Sequence, residues 1–542
     1  MFPKKQIVLL LFATVFTTGG VLAQAGGKGI TNEEVIVVKE YEVTIPDADK
    51  VNLQPNIPEV EDSKPKLDYT VPQKGLRDFA FETSPLKPLS ISKEKLEKYH
   101  TSFIKAGFGS QIMPLAQLAY NDNKTKDLNF GFFYNYLSAR EFKVKNQRFS
   151  DNQAGVYLKW YPKSVVFGTR FNFRNYRTHF YGTDSIFRAK DVAQTFRTYD
   201  AKIYLQNAKR NKYDINFSQL LGFNYLQETF GKANEWFVEG RTDLDKKFKK
   251  FHTISFSFNF DISRLKNDSL ILRRHIFTPK VGYKFNNDDW RGHADLGVAV
   301  DSSKVVFVTE AYLEKRLYEQ SIIAYTSFER RYQKNSLNAF ATDNNFVQNS
   351  ISIRNSTIDH FTAGIKGTID KFNYKLGFDL NRIKNLPLYV NDTMDMKRFV
   401  MIYEANMRTL GFHGEAGYNI KEWLRLLAVA DYQFYQMKTE TRPWHQPNFR
   451  FTLRANYVWK NKIVVGLDLF ATSHTYAKLS IEDGGEKKVK GTADLNLSLE
   501  YILTKSFSFF GNLNNIANIR YQRWNQYQSY GINGMVGAKF SF

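Results

Sequence analysis

The sequence predicts an all-β fold: a closed antiparallel transmembrane β-barrel of about 22 strands behind a proline-rich N-terminal tail. Three observations predict it. Long stretches alternate strictly between apolar and polar residues, which is the period of a two-faced strand. Aromatic residues reach 16%, with 47 Phe and 31 Tyr, yet charged residues make up 24%, so the apolar residues are dispersed rather than blocked together. After the first residues, no stretch approaches the ~18 uninterrupted apolar residues of a membrane-spanning helix.

The elements follow in order. Residues 1–23 read as a signal peptide: Lys4 and Lys5 precede an apolar run from Ile7 to Phe16, and Val21 to Ala23 supply small residues for cleavage after Ala23. Residues 24–101 read as an extended tail, periplasmic or lumenal. Seven of the fourteen prolines fall between Pro46 and Pro88, where they can neither continue a helix nor sit centrally in a sheet. Its one strand-like piece is Glu33 to Val43, which could add to a sheet edge. Residues 102–542 read as the barrel, with turn punctuation at 121–127 and 286–289 and a longer external loop at 331–350. No composition break divides this part, so it reads as one unit. Cysteine is absent, which excludes a disulfide framework, a thiolate metal site and a lipid-modified cysteine.

The alternation assigns faces. Ile254, Phe256, Phe258, Phe260 and Ile262 share one side and Ser255, Ser257, Asn259, Asp261 and Ser263 the other. Ala493, Leu495, Leu497, Leu499, Tyr501 and Leu503 oppose Asp494, Asn496, Ser498 and Glu500. The terminal stretch sets Ile532, Gly534, Val536, Ala538, Phe540 and Phe542 against Asn533, Met535, Gly537, Lys539 and Ser541. Strands of this length exceed the usual five or six residues of a soluble sheet and match a tilted bilayer crossing of about nine to eleven. Their apolar faces are expected to meet lipid. In lipid a sheet spans only if it closes, so the barrel is expected to be closed, monomeric and located in a bacterial outer membrane. Two aromatic clusters, Tyr157 with Trp160 and Tyr161, and Tyr521 with Trp524 and Tyr527, are expected at the membrane interfaces.

The C-terminal residues carry a family resemblance. "NIANIRY", Asn515 to Tyr521, resembles the signature before the last strand of TonB-dependent outer-membrane receptors. "SYGINGMVGAKFSF" resembles their final strand, and "RPWHQPNFRFTLRANYVW" the strand that begins a preceding hairpin. Ile532 stands where that family usually has arginine. The 77 residues from Gln24 to His100 are too few and too proline-rich for the family's globular plug, so the resemblance is to a plug-less relative. Glu34, Val35, Ile36, Val37 and Val38 resemble the short box by which such receptors engage the TonB protein. The resemblance implies transport or admission of solutes across the outer membrane. Its implied partners are outer-membrane lipid and lipopolysaccharide, with TonB or other outer-membrane subunits, and no nucleic acid.

Catalysis is not expected. The nine histidines are scattered without the spacing of a metalloprotease helix, and Asp359 and His360 would face opposite sides of a strand. No catalytic residue, cofactor site or metal cluster emerges from the spacing. The residues expected to line the lumen are Arg170 and Arg174, Arg450 and Arg454, and Asp494 and Glu500, a charged wall that would set selectivity. The alternative reading is a non-transporting barrel subunit or scaffold of an outer-membrane assembly or secretion complex. The tail carries fourteen acids against eleven bases, and the barrel is strongly basic. Their opposite charge suggests that the tail enters the lumen as a minimal plug.

Overall fold

A computed structural model describes residues 101–542, apart from 123, 124, 126, 183–191, 210, 349–352, 422 and 481–484. The signal peptide, the proline-rich tail and the Glu34–Val38 box lie outside the described residues.

Twenty-two strands form one antiparallel sheet, each bonded to its neighbour in sequence. The sheet closes where Phe103–Gly109 pairs with Asn533–Ser541, from Phe103 opposite Ser541 to Gly109 opposite Met535. Closure satisfies the backbone groups that two free edges would leave unpaired. Crossing lengths range from the seven residues of Phe103–Gly109 to the 23 of Phe399–Lys421. No helix among the described residues is long and apolar enough to cross a membrane.

The faces are those the alternation predicts. In the last strand Val536 is 70% exposed and its neighbour Met535 only 6%. Ile254 and Phe256 are exposed on the outside while Ser255 and Ser263 are buried on the inside. Phe108, Phe171, Leu296, Phe307, Phe412 and Leu499 extend the same exposed skin around the barrel. An apolar surface this extensive far exceeds the few hundred Å² that a water-soluble monomer normally leaves uncovered.

The two rims differ. At one rim Ser102 and Phe542 exchange backbone hydrogen bonds of 3.2 and 2.9 Å, and the connections are short, such as 250–251, 287–289 and 370–371. At the other rim lie the long connections 334–355, 437–448, 473–491 and 515–532. These fold their own elements: a helix, Leu337–Asp343; a hairpin of Thr475–Lys478 with Glu486–Val489; and a smaller hairpin of Gln522–Trp524 with Tyr527–Gln528.

Candidate functional site: the lumen and its covered mouth

The long loops turn inward and pack. From 334–355 come Leu337, Phe340, Ala341, Phe346 and Val347, and from 515–532 come Trp524 and Tyr527. They meet Phe196, Leu226 and Leu265 on one part of the wall and Tyr389 and Phe399 on another, forming a single buried apolar cluster. Phe346 stacks on Tyr527 with ring centroids 3.5 Å apart, and Tyr389 and Phe399 set their rings edge-on to Trp524 at 4.8 and 5.6 Å. This core spans the mouth between strands that are far apart in the barrel order.

Polar groups fix the cap to the wall. Ser336 caps the helix by accepting from the Ala339 amide at 3.1 Å. The Asn338 amide in its first turn donates to Glu235 at 2.9 Å, and the Asn338 side chain donates to Asn224 at 3.0 Å. Glu235 pairs with Arg274 at 3.3 Å, both side chains being almost wholly buried. Arg274 also donates to the Asn335 carbonyl and, at 3.2 Å, to Asn355. At the helix C-terminus Asp343 meets Arg523 at 2.6 Å. Burial raises the Asp343 carboxyl above its ordinary value, and the Arg523 guanidinium offsets that only in part. Asn525 donates to Asn391 at 2.9 Å, and the Phe399 amide to the Phe346 carbonyl at 3.0 Å.

His445, in the connection 437–448, sits against this core, its ring 5.1 Å from that of Trp524 and 5.5 Å from that of Phe399. Burial, with the Arg523 charge nearby, pushes its imidazole down to about 3, so the ring is neutral. Beside it Trp444 donates to Glu440 at 2.8 Å, and Lys478 binds the same carboxylate at 3.0 Å.

The "NIANIRY" residues are the frame of this cap. Asn515 and Asn518 adopt left-handed φ of 51° and 53°, which asparagine tolerates better than most residues. The Asn515 amide group donates to the Ile519 and Tyr530 carbonyls at 2.9 and 2.7 Å, and Asn518 accepts from the Ile532 amide at 2.9 Å. Arg520 pairs with Glu141 at 2.9 Å, tying the loop to a neighbouring connection.

The interface expectation for the second aromatic cluster is corrected here. Trp524 and Tyr527 are buried in the cap core, not at the lipid boundary, because the loop bearing them folds over the mouth. Of the first cluster, Trp160 and Tyr161 are exposed, whereas the Tyr157 hydroxyl turns inward to donate to Asn121 at 2.8 Å.

Below the cap the wall is polar. The six expected lining residues alternate with the outward apolar set but do not converge on one point. Arg174 binds Asp151 through two bonds of 2.9 and 2.8 Å, and Arg170 donates to Asn172 at 3.1 Å. Arg454 pairs with Asp468 at 3.0 Å, both well exposed. Glu500 accepts from Ser508 at 2.6 Å and lies 3.7 Å from Lys539. Asp494 is buried and accepts from the Leu495 amide at 2.7 Å, and Arg450 stands opposite Asp431. A wall cavity of about 360 Å³ is lined by Lys202, Glu239, Arg241, Asp261, Lys280 and Lys334.

The structure also assembles a group that spacing did not show: His293, Asp295 and Glu310, whose donor atoms all lie within 4.8 Å of one another. The signal was His-x-Asp on one strand, but bringing Glu310 beside it required the register. Asp359 and His360 do fall on successive strand positions, opposite Arg330 and Glu329 respectively.

No family model and no curated protein matches the sequence. Solved structures match in fold. The FrpB iron transporter from Neisseria meningitidis (F3-3 variant) is 9% identical over 82% of this chain and 82% of its own, with a TM-score of 0.66. The siderophore receptor PirA from Acinetobacter baumannii is 10% identical over 83% of this chain and 81% of its own, with a TM-score of 0.65. The closed form of the ferric-catecholate import receptor Fiu from E. coli K12 is 11% identical over 82% of each chain, with a TM-score of 0.63. What is shared at these identities is the closed 22-stranded architecture.

Proposed function

We propose that this chain is an outer-membrane transport barrel akin to the TonB-dependent receptors, admitting a solute through its lumen when the loop cap yields. The observation that carries the reading is a closed 22-stranded barrel with an apolar skin, a charged lumen and a covered mouth. Its fold neighbours include an iron transporter and siderophore receptors, barrels of the same strand architecture. In this reading the skin meets outer-membrane lipid and lipopolysaccharide, the long loops face outward, and the short-turn rim faces the periplasm. Residues Glu34 to Val38 engage TonB, residues 24–100 enter the lumen from below, and the barrel performs no catalysis. Arg170, Arg174, Arg450, Arg454, Asp494 and Glu500 tune which charged solutes pass.

The packing of the cap favours a second reading, a sealed scaffold subunit. Planar-bilayer recordings separate the two. The transport reading expects current from a barrel lacking residues 24–100 in which residues 336–348 are replaced by a short Asn-Gly turn. Silence from that doubly shortened barrel contradicts it. Unchanged current on deleting residues 24–100 alone removes the tail from the lumen.

A further inference from the structure

Across six neighbouring strands the ladder lines up an unusual row of side chains. Gly282 stands opposite both Ser255 and Asp295, Asp295 opposite Glu310, Glu310 opposite Glu329, and Glu329 opposite His360. Three consecutive carboxylates therefore project from adjacent strands into the lumen. Like charges directly opposite one another destabilise a sheet. In a chain of formal net charge +22, cations to interleave between them are plentiful, yet the row is left largely acidic.

Its partners are unequal. Glu329 has Arg331 at 3.3 Å. Glu310 has Lys280 only at 3.8 Å, beyond hydrogen-bond reach, and His293 Nε2 at 3.3 Å. Asp295 has no cationic side chain as an ion-pair partner among the described residues. Its Oδ1 accepts from Ser255 Oγ at 3.1 Å, and its carboxylate leans into the space left by Gly282, where a Cβ would collide with it. That glycine gap and that serine hold the Asp295 carboxylate in place as second-sphere groups hold a metal ligand, with a ligand atom still within 4.8 Å of those of His293 and Glu310. His293, two residues before Asp295 and so on the same face, completes the trio.

We propose that His293, Asp295 and Glu310 bind a divalent transition-metal cation on the lumen wall. One imidazole and two carboxylates suit Zn²⁺, Mn²⁺ or Fe²⁺, whereas Ca²⁺ and Mg²⁺ prefer all-oxygen shells. Around a bound ion at bond lengths near 2.1 Å, ligand atoms stand about 3.4 Å apart, so modest side-chain rotation from the present spacing brings them together. Three protein ligands leave a position for water, which makes the site exchangeable from the lumen. Lys280, 3.8 Å from Glu310, withdraws when the ion binds. The proposal rests on strand register and stands whether or not solutes traverse the barrel.

The test uses the full chain in detergent, stripped with a chelator and titrated with zinc by calorimetry, with manganese followed by electron paramagnetic resonance. About one saturable ion per chain is expected, weakened at least tenfold, the order of a lost ligand or supporting group, by His293→Ala and by Glu310→Gln. Lys280→Gln, which removes the competing charge, is expected to bind at least as tightly as the native chain. Heat-modifiable electrophoretic migration verifies that each variant is a folded barrel, and Asp295→Asn replaces any that is not. Absence of saturable binding in both the native chain and Lys280→Gln overturns the proposal. So does native affinity in the folded His293→Ala variant.

Discussion

The two ends of the barrel are built from one strand pattern and solve opposite problems. At the long-loop end, inward apolar positions are covered: Leu226, Leu265 and Phe399 are almost wholly buried in one cluster with Phe340, Trp524 and Tyr527. Towards the short-turn end the same inward positions carry Lys202, Asp245, Lys284 and Glu500, paired in a polar interior. The difference lies in the connections. A loop long enough to return into the mouth can bury apolar side chains, whereas a two- or three-residue turn cannot, and the wall beneath it must remain compatible with water. Stability and specificity are therefore expected to concentrate in the cap, and tolerance below it.

The buried pair at the cap gives the largest expected contrast. Arg274→Ala leaves Glu235 charged and buried and is expected to cost about 3–5 kcal/mol, read as a lower urea midpoint for the protein folded into lipid vesicles. A cost under about 1 kcal/mol would mean that the cap does not exclude water as described.

The outer and inner faces give the next. Phe258→Arg, on the lipid side, is expected to cost about 2–4 kcal/mol near the bilayer midplane, and Ser257→Arg, next to it but facing the lumen, far less. Equal costs would reverse the faces.

Acid probes the cap. The folded-state imidazole of His445 lies near 3 because of its burial, below its ordinary 6.5. The unfolded loop thus binds the extra proton, and stability that is complete above pH 6.5 is lost as pH falls towards 3. By pH 5 the loss is about 2 kcal/mol. Hydrogen exchange in residues 337–348 is expected to accelerate over that window, and His445→Gln to flatten the dependence. A pH-independent cap would show that His445 is not at its centre.

The smallest effect belongs to the open wall. Arg454→Ala breaks a solvent-exposed pair with Asp468 and is expected to cost no more than about 0.2–1 kcal/mol. A larger loss would place that pair in a drier interior than its exposure indicates.

What was legible in the sequence divides along the same line. The faces of the strands containing Phe256, Leu499 and Val536 follow from alternation alone, because a bilayer favours apolar residues at the outward positions it covers. The inward placement of Arg174 and Arg454 follows by parity. The cap was not legible. Trp524 and Tyr527 lie in a loop, where aromatic spacing has no period to interpret, and the helix Leu337–Asp343 is too short for its i, i+3, i+4 apolar positions to stand out. Nor was the acidic row. Asp295 and Glu310 meet only because the turn after Asp301 sets the register, and a slip of one residue would move Glu310 to the lipid face. Glu235 and Arg274 likewise meet only through the registers of their two strands with the strand between them.

The absence of native cysteine permits a direct test of the covered mouth. Ser257→Cys places a single thiol on the lumen wall below the cap, and a membrane-impermeant maleimide is added to intact cells. The thiol is expected to resist labelling in the otherwise native chain and to label rapidly once residues 336–348 are replaced by a short turn. Rapid labelling with the cap intact would contradict the account.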